Sequence, residues 1–283
     1  MADPAANALH PRRSFGAVLL AGGLNLGLGL SGCTPLKQPT PIAMELLHDD
    51  SACAAQAPVL LVLLPGANMT ATELVDEGFV QAVRQRRLAV DVLVVGAGLE
   101  YVYDGSLITR LHDDVLAPYR ARGYSRIWLA GISLGGFAAM AYALRHPGTI
   151  EGIVALAPYL GRRPLVQEVA AAGGAAAWLQ QASAVPRADD VDQQLWRWLA
   201  RRTPAAQTAA GTAAQAATQP AAGSPRLVLG YGTEDRFAEG HRLLAQSLPA
   251  ADVLTAPGGH TWAPWRQLWA TWLDRGVLPT ACA

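Results

Sequence analysis

Val59–Leu64 is six apolar residues in a row. A strand that shows no polar residue on either face must be covered on both, and two-sided burial of short strands is the mark of a parallel sheet packed between helices. Similar runs recur along the chain at Ile42–Leu47, Leu88–Val95, Ile127–Ala130, Ile153–Ala157, Leu227–Leu229 and Val253–Leu254. Between them lie segments with helical spacing. Thr70-Ala71-Thr72-Glu73 has the form of a capping box and opens a helix to about Arg86. Ser106 is placed to cap a helix that buries Leu107, Leu111, Val115 and Tyr119 and ends at Gly123, and Leu134–Arg145 is stopped by His146-Pro147-Gly148. The alternation predicts an α/β domain with a doubly wound, mostly parallel sheet.

That rhythm fails between Gly161 and Ser224. Only helical pieces remain there, around Leu165–Ala171, Ala175–Gln181 and Asp190–Arg201, followed by an Ala/Thr/Gln/Pro/Gly tract from Ala205 to Ala222 with little to bury. The expected organisation is therefore a first core part over 42–160, a helical cap insertion with its Ala-rich loop over 161–224, and a second core part over 225–283. Inserted between two parallel strands, such a cap is expected over their C-terminal edge.

The first 41 residues read as an address. Arg12 and Arg13 precede an apolar run from Phe15 to Leu30 that is short and Gly-rich for a bilayer span. Leu30-Ser31-Gly32-Cys33 resembles a bacterial lipobox, so 1–32 is expected to be a lipoprotein signal peptide, Cys33 the lipidated residue and 33–41 a tether. An ordinary secretory signal is the alternative, and Pro11-Arg12-Arg13-Ser14-Phe15 leaves Sec and twin-arginine export both open. The expected location is the cell envelope, with the protein lipid-anchored to the outer membrane and facing the periplasm or exterior. Cys53 and Cys282 then remain, and in an exported protein they form either a disulfide or two free thiols. The 22 basic and 22 acidic residues balance, which argues against a nucleic-acid partner. Neither a phosphate-binding glycine loop nor a dinucleotide fingerprint occurs, and no Cys/His cluster has metal-ligand spacing.

Gly131-Ile132-Ser133-Leu134-Gly135 stands between a predicted strand and a helix that begins at once. In that setting the serine occupies a tight turn that exposes its hydroxyl and needs small residues two positions before and after. A serine hydroxyl is a weak nucleophile and requires a base with a group to orient it. Past the insertion there are two histidines. His260 follows a strand through Pro257-Gly258-Gly259 and is the expected base, whereas His241, mid-helix, reads as a solvated surface residue. Asp235 lies in the loop after Leu227–Leu229 and is the expected acid, with Glu234 beside it as the competitor. The N–H groups of Ala67, in the turn after Val59–Leu64, and of Leu134 are the expected oxyanion donors.

This pattern resembles the α/β-hydrolase superfamily from about Ile42 to Leu273. Gly131–Gly136 and Gly259-His260-Thr261-Trp262-Ala263-Pro264-Trp265 are similar to esterases of the esterase-D and antigen-85-like group. The resemblance implies carboxylic-ester hydrolysis of a small-molecule substrate without a cofactor. Thioester cleavage or acyl transfer on envelope lipids is a second reading, and a binding lipoprotein on an inactive hydrolase fold is a third. Many members have His before the oxyanion glycine where this chain has Pro65, which bears on the subfamily and not on backbone donation. Trp262, Trp265, Trp269 and Trp272 fit core packing of the last helix, with Trp262 also open to a place beside His260. Trp178, Trp196 and Trp198 hold the insertion down or line an acyl pocket. His48-Asp49-Asp50 and His112-Asp113-Asp114 read as solvated faces rather than metal ligands.

Overall fold

A computed structural model describes residues 43–53, 57–182, 190–202 and 224–280. Seven strands form one sheet: β1 (Glu45–Asp49), β2 (Val59–Leu64), β3 (Val90–Gly96), β4 (Arg126–Ile132), β5 (Gly152–Leu156), β6 (Arg226–Gly232) and β7 (Val253–Ala256). Their spatial order is β1-β3-β2-β4-β5-β6-β7. Among the described strands only β1 runs antiparallel, against β3. Every side chain of β2 is buried, as is every one of β5, so the continuous apolar runs mark the strands sealed on both faces.

Among the described residues the α-helices are α1 (Ala71–Asp76), α2 (Phe79–Gln85), α3 (Leu99–Tyr103), α4 (Leu107–Arg110), α5 (Ala117–Ala121), α6 (Leu134–Arg145), α7 (Arg163–Ala171), α8 (Ala175–Gln181), α9 (Val191–Ala200), α10 (Ala238–Ala245) and α11 (Trp262–Asp274). The capping box is present. Glu73 N–H donates to Thr70 Oγ1 at 3.1 Å and Thr70 N–H to the Glu73 carboxylate at 2.7 Å. The helix it opens does not reach Arg86 unbroken. Gly78 takes φ +82°, a conformation that glycine adopts without penalty, and splits it into α1 and α2.

Leu107, Leu111, Val115 and Tyr119 are all buried. Steps of four residues drift by about 40° each on an α-helix, so a straight one would swing Tyr119 away from the core. A π-helical stretch over Leu111–Leu116 widens the turn between α4 and α5 and keeps the stripe facing inward. On one side of the sheet α6 crosses β2, β4 and β5, with α4 and α9 packed against it. Across the sheet, α11 covers β5–β7 and meets α2. There Trp269 stacks on Phe79 at 5.9 Å and donates its indole N–H to the Phe79 carbonyl at 3.0 Å.

Between β5 and β6, α7 packs on α10, α8 on α9 and α9 on α6. Trp178 and Trp196 are buried in the common core, and Trp196 donates to the Leu160 carbonyl at 2.9 Å. Residues 1–42 and 203–223, with the lipobox, Cys33 and the Ala-rich tract, lie outside the described residues, as does Cys282. Cys53 is disulfide-bonded. Among the described residues no helix is long and apolar enough to cross a membrane, and no group of three or more metal-ligating side chains occurs. Asp49 pairs with Arg84, and His48 sits 3.6 Å from Asp50. His112 is half-buried rather than solvated. Its ring stacks on His146 at 4.1 Å, and its Nδ1 lies 3.1 Å from the Tyr142 hydroxyl.

Candidate active site

Because β2, β4, β6 and β7 run parallel, the segments that leave them emerge at one edge of the sheet. Those four exits carry Gly66-Ala67, Ser133, Asp235 and His260. Ser133 joins β4 to α6 with φ +51° and ψ −110°, a backbone state that costs a non-glycine residue on the order of 1–3 kcal/mol. The turn is possible only between small residues. A Cβ on Gly131 would stand 2.2 Å from the Gly135 backbone, and one on Gly135 would stand 2.2 Å from the Leu64 carbonyl oxygen. The strained turn is held by its neighbours: Ser133 N–H donates to Leu156 O, and Ser133 O accepts from the Phe137 and Tyr159 N–H groups at 3.1 and 2.9 Å.

Asp235 and His260 meet directly, with Nδ1 of the imidazole 2.7 Å from Oδ2. The carboxylate's other oxygen accepts the Phe237 N–H at 2.8 Å. Burial works to raise the Asp235 pKa, but the hydrogen bonds from His260 and Phe237 outweigh it and hold the group below the usual carboxylate range. Glu234 is exposed, and its backbone N–H ties the loop to the Gly258 carbonyl at 3.0 Å. Close approach of these two loops requires Gly232, where a Cβ would fall 2.2 Å from Gly258 O.

Ser133 reaches the Asp235–His260 pair through two aromatic rings. Tyr159, bonded to the Ser133 carbonyl, stands edge-on to Phe237 at 6.4 Å, and Phe237 stands edge-on to His260 at 5.1 Å. Among the described residues no hydrogen bond joins the Ser133 hydroxyl to His260. Trp265 flanks the other side of the imidazole at 4.9 Å, and Trp262 packs on Trp265. On the opposite side of the serine, a Cβ on Gly66 would lie 3.4 Å from the Ser133 Cβ. The turn after β2 therefore abuts the Ser133 side chain. Gly66 N–H is accepted by the Met69 sulfur at 3.2 Å, and Ala67 is exposed at the tip of the turn.

His241 corrects the sequence expectation. It is fully buried, not solvated. Its Nε2 lies 2.9 Å from the Pro158 carbonyl, which can only accept, so Nε2 carries the proton. Burial pushes its pKa down to about 4. The signal was present: Phe237, Leu244 and Leu248 continue through His241 at i, i+4, i+7 and i+11, one stripe of a helix.

A sequence model of the alpha/beta hydrolase family matches residues 61–269, and the chain belongs to that family. Its fold is similar to an S-formylglutathione hydrolase from Staphylococcus aureus, with a TM-score of 0.51 and 13% identity over 84% of this chain and 98% of that one. A hydrolase from Pseudomonas aeruginosa has a TM-score of 0.48 and 22% identity over 83% and 94% of the two chains. A monoacylglycerol lipase from Paleococcus ferrophilus has a TM-score of 0.49 and 14% identity over 83% and 99%. No curated protein sequence is matched.

Proposed function

We propose that the chain is a serine hydrolase that cleaves carboxylic esters through an acyl-enzyme. The observation that carries this reading is the Asp235–His260 hydrogen bond at the sheet edge that also bears Ser133 on its strained turn. His260 holds its Nδ1 proton against Asp235, which leaves Nε2 free to take the Ser133 proton as Oγ attacks the carbonyl. Asp235 fixes the ring and balances the charge the imidazole gains. The tetrahedral oxyanion is stabilised by the N–H of Leu134, at the start of α6, and by that of Ala67. Collapse expels the alcohol with the proton from His260. Water activated by the same nitrogen then releases the acid.

The test uses p-nitrophenyl acetate and butyrate together with a fluorophosphonate probe. The expected result is burst kinetics and covalent labelling at Ser133, both lost in Ser133→Ala. A folded Ser133→Ala protein that retains near wild-type turnover overturns the proposal. Thioester substrates in the same panel separate ester from thioester preference.

For location, the proposal is a lipid anchor at Cys33, since several acyl chains hold a protein at a membrane where one does so only marginally. Cys33→Ser is expected to shift the protein from the detergent-extracted fraction to the soluble one, or to leave it unprocessed. A wild-type protein that fractionates as soluble with an unmodified cysteine refutes the anchor.

A further inference from the structure

A cavity of about 440 Å³ opens between the start of α7 and the start of α10. Two of its walls are shared with the proposed catalytic edge. Phe237 borders the cavity and stands edge-on to His260, and Tyr159 borders it while its N–H holds the Ser133 carbonyl. Val166 and Leu160 add an apolar flank, and Arg163, Arg236 and Glu239 stand among the lining residues.

Two of the lining arginines differ from their neighbours in having no carboxylate partner. Arg162, next in the chain to Arg163, bonds Asp190 and Asp192. Arg86, Arg126 and Arg226 are likewise each matched to a carboxylate. Among the described residues, Arg163 and Arg236 make no hydrogen bond or ion pair. The Arg236 guanidinium lies over the Phe237 ring, 4.9 Å from its centroid, which steadies the group while its N–H donors stay free. Glu239, and beyond Gly161 the Arg162–Asp190–Asp192 cluster, offset the two cations in sum, so recognition rests on the free guanidinium donors and not on net charge. Guanidinium forks recognise planar oxyanions in bidentate fashion, more selectively than a point charge does.

We propose that this cavity binds the anionic end of the substrate: an ester whose carbonyl is attacked at Ser133 and which carries, beyond a few methylenes, a carboxylate or phosphate held by Arg163 and Arg236. This rests on the reading of Ser133 as nucleophile. The methylenes lie along Val166 and Phe237, and the anion displaces only water from the two guanidinium groups.

The decisive measurement is the ratio of kcat/KM for mono-p-nitrophenyl glutarate to that for its neutral methyl ester. In the wild type this ratio is expected to be roughly tenfold or more in favour of the anion. It should fall towards one in the Arg163→Gln/Arg236→Gln double variant and in high salt, and rise in Glu239→Gln. Competition by glutarate against glycerol 3-phosphate decides which anion is preferred. A wild-type ratio of one or less, or a ratio unchanged in the double variant, overturns the inference while ester cleavage itself stands. If neither ester is cleaved and no fluorophosphonate label appears, it is the proposed function that fails. Calorimetry with glutarate on wild type and double variant then judges the cavity by itself: binding weakened by the double substitution supports it, and binding absent or unchanged overturns it.

Discussion

His260 and His241 both lie in the field of Asp235, yet the protein treats them in opposite ways. His260 follows β7 on the Pro257-Gly258-Gly259 turn, with 9% of its side chain exposed and its Nδ1 on the carboxylate. His241 sits inside α10 with no exposure and gives its one proton to the Pro158 carbonyl. The first has a free nitrogen at an open edge and a partner that stabilises a positive charge. The second is sealed from solvent, and burial outweighs the favourable pull of Asp235 and the Pro158 carbonyl and keeps it neutral. Nearness to an acid does not make a histidine a base; access and the identity of the hydrogen-bond partner do. What His241 supplies is structural. It anchors the turn after β5 that brings Tyr159 to the Ser133 carbonyl.

The largest effect expected follows directly. His260→Ala should lower turnover of a p-nitrophenyl ester by about 10³-fold or more, with an unfolding midpoint close to wild type. His241→Ala should do the reverse, reducing stability by about 2–3 kcal/mol through a cavity and an orphaned carbonyl, with turnover within tenfold. Urea unfolding beside ester kinetics reads both. Equal losses of activity in the two variants would erase the distinction drawn between these histidines.

The acid sharpens the same contrast at one remove. Asp235 is buried and bonded to His260, whereas the adjacent Glu234 is exposed. Asp235→Asn should reduce kcat by roughly 10²–10⁴-fold because the amide cannot orient and charge-balance the imidazole in the same way. Glu234→Gln should stay within about threefold. Reversed magnitudes would reassign the acid to Glu234 and detach His260 from its observed partner.

The sheet was legible because fully buried strands carry their own signature. Val59–Leu64 is β2 to the residue, and each of the other predicted runs overlaps one strand. That Ser133, Asp235 and His260 share one edge could be read in advance, because each follows a strand and parallel strands deliver their exits to the same edge. Where the reading failed, the deciding interaction was tertiary or a single backbone torsion. The predicted helix from Thr70 broke at Gly78, whose positive φ no periodicity reveals. The π-helical turn was hidden in the four-residue spacing of Leu107 to Tyr119. His241 was misjudged because residue type was weighed above its place on an apolar stripe. The cavity beside Phe237 was not legible, since it forms between α7 and α10, which the rest of the insertion and β6 separate in the sequence.

The smallest effect, and the most specific to His241, is on acid stability. Burial lowers its pKa from 6.5 to about 4, so between those values the unfolded chain binds a proton that the folded protein refuses. Stability is therefore complete above pH 6.5 and falls as the pH drops towards 4, by about 3 kcal/mol for this group. His146 acts in the same direction, its pKa lowered by burial and by the stacked His112. Asp235, held below its ordinary value, adds a separate loss only below about pH 4 as it protonates. In His241→Gln the amide N–H still reaches the Pro158 carbonyl but nothing titrates. That variant should show a flatter stability profile between pH 6.5 and 4 while its ester turnover at neutral pH stays near wild type. A wild-type profile already flat across this window would mean that the imidazole is charged in the folded protein. The opposition between His241 and His260 would then rest on access alone.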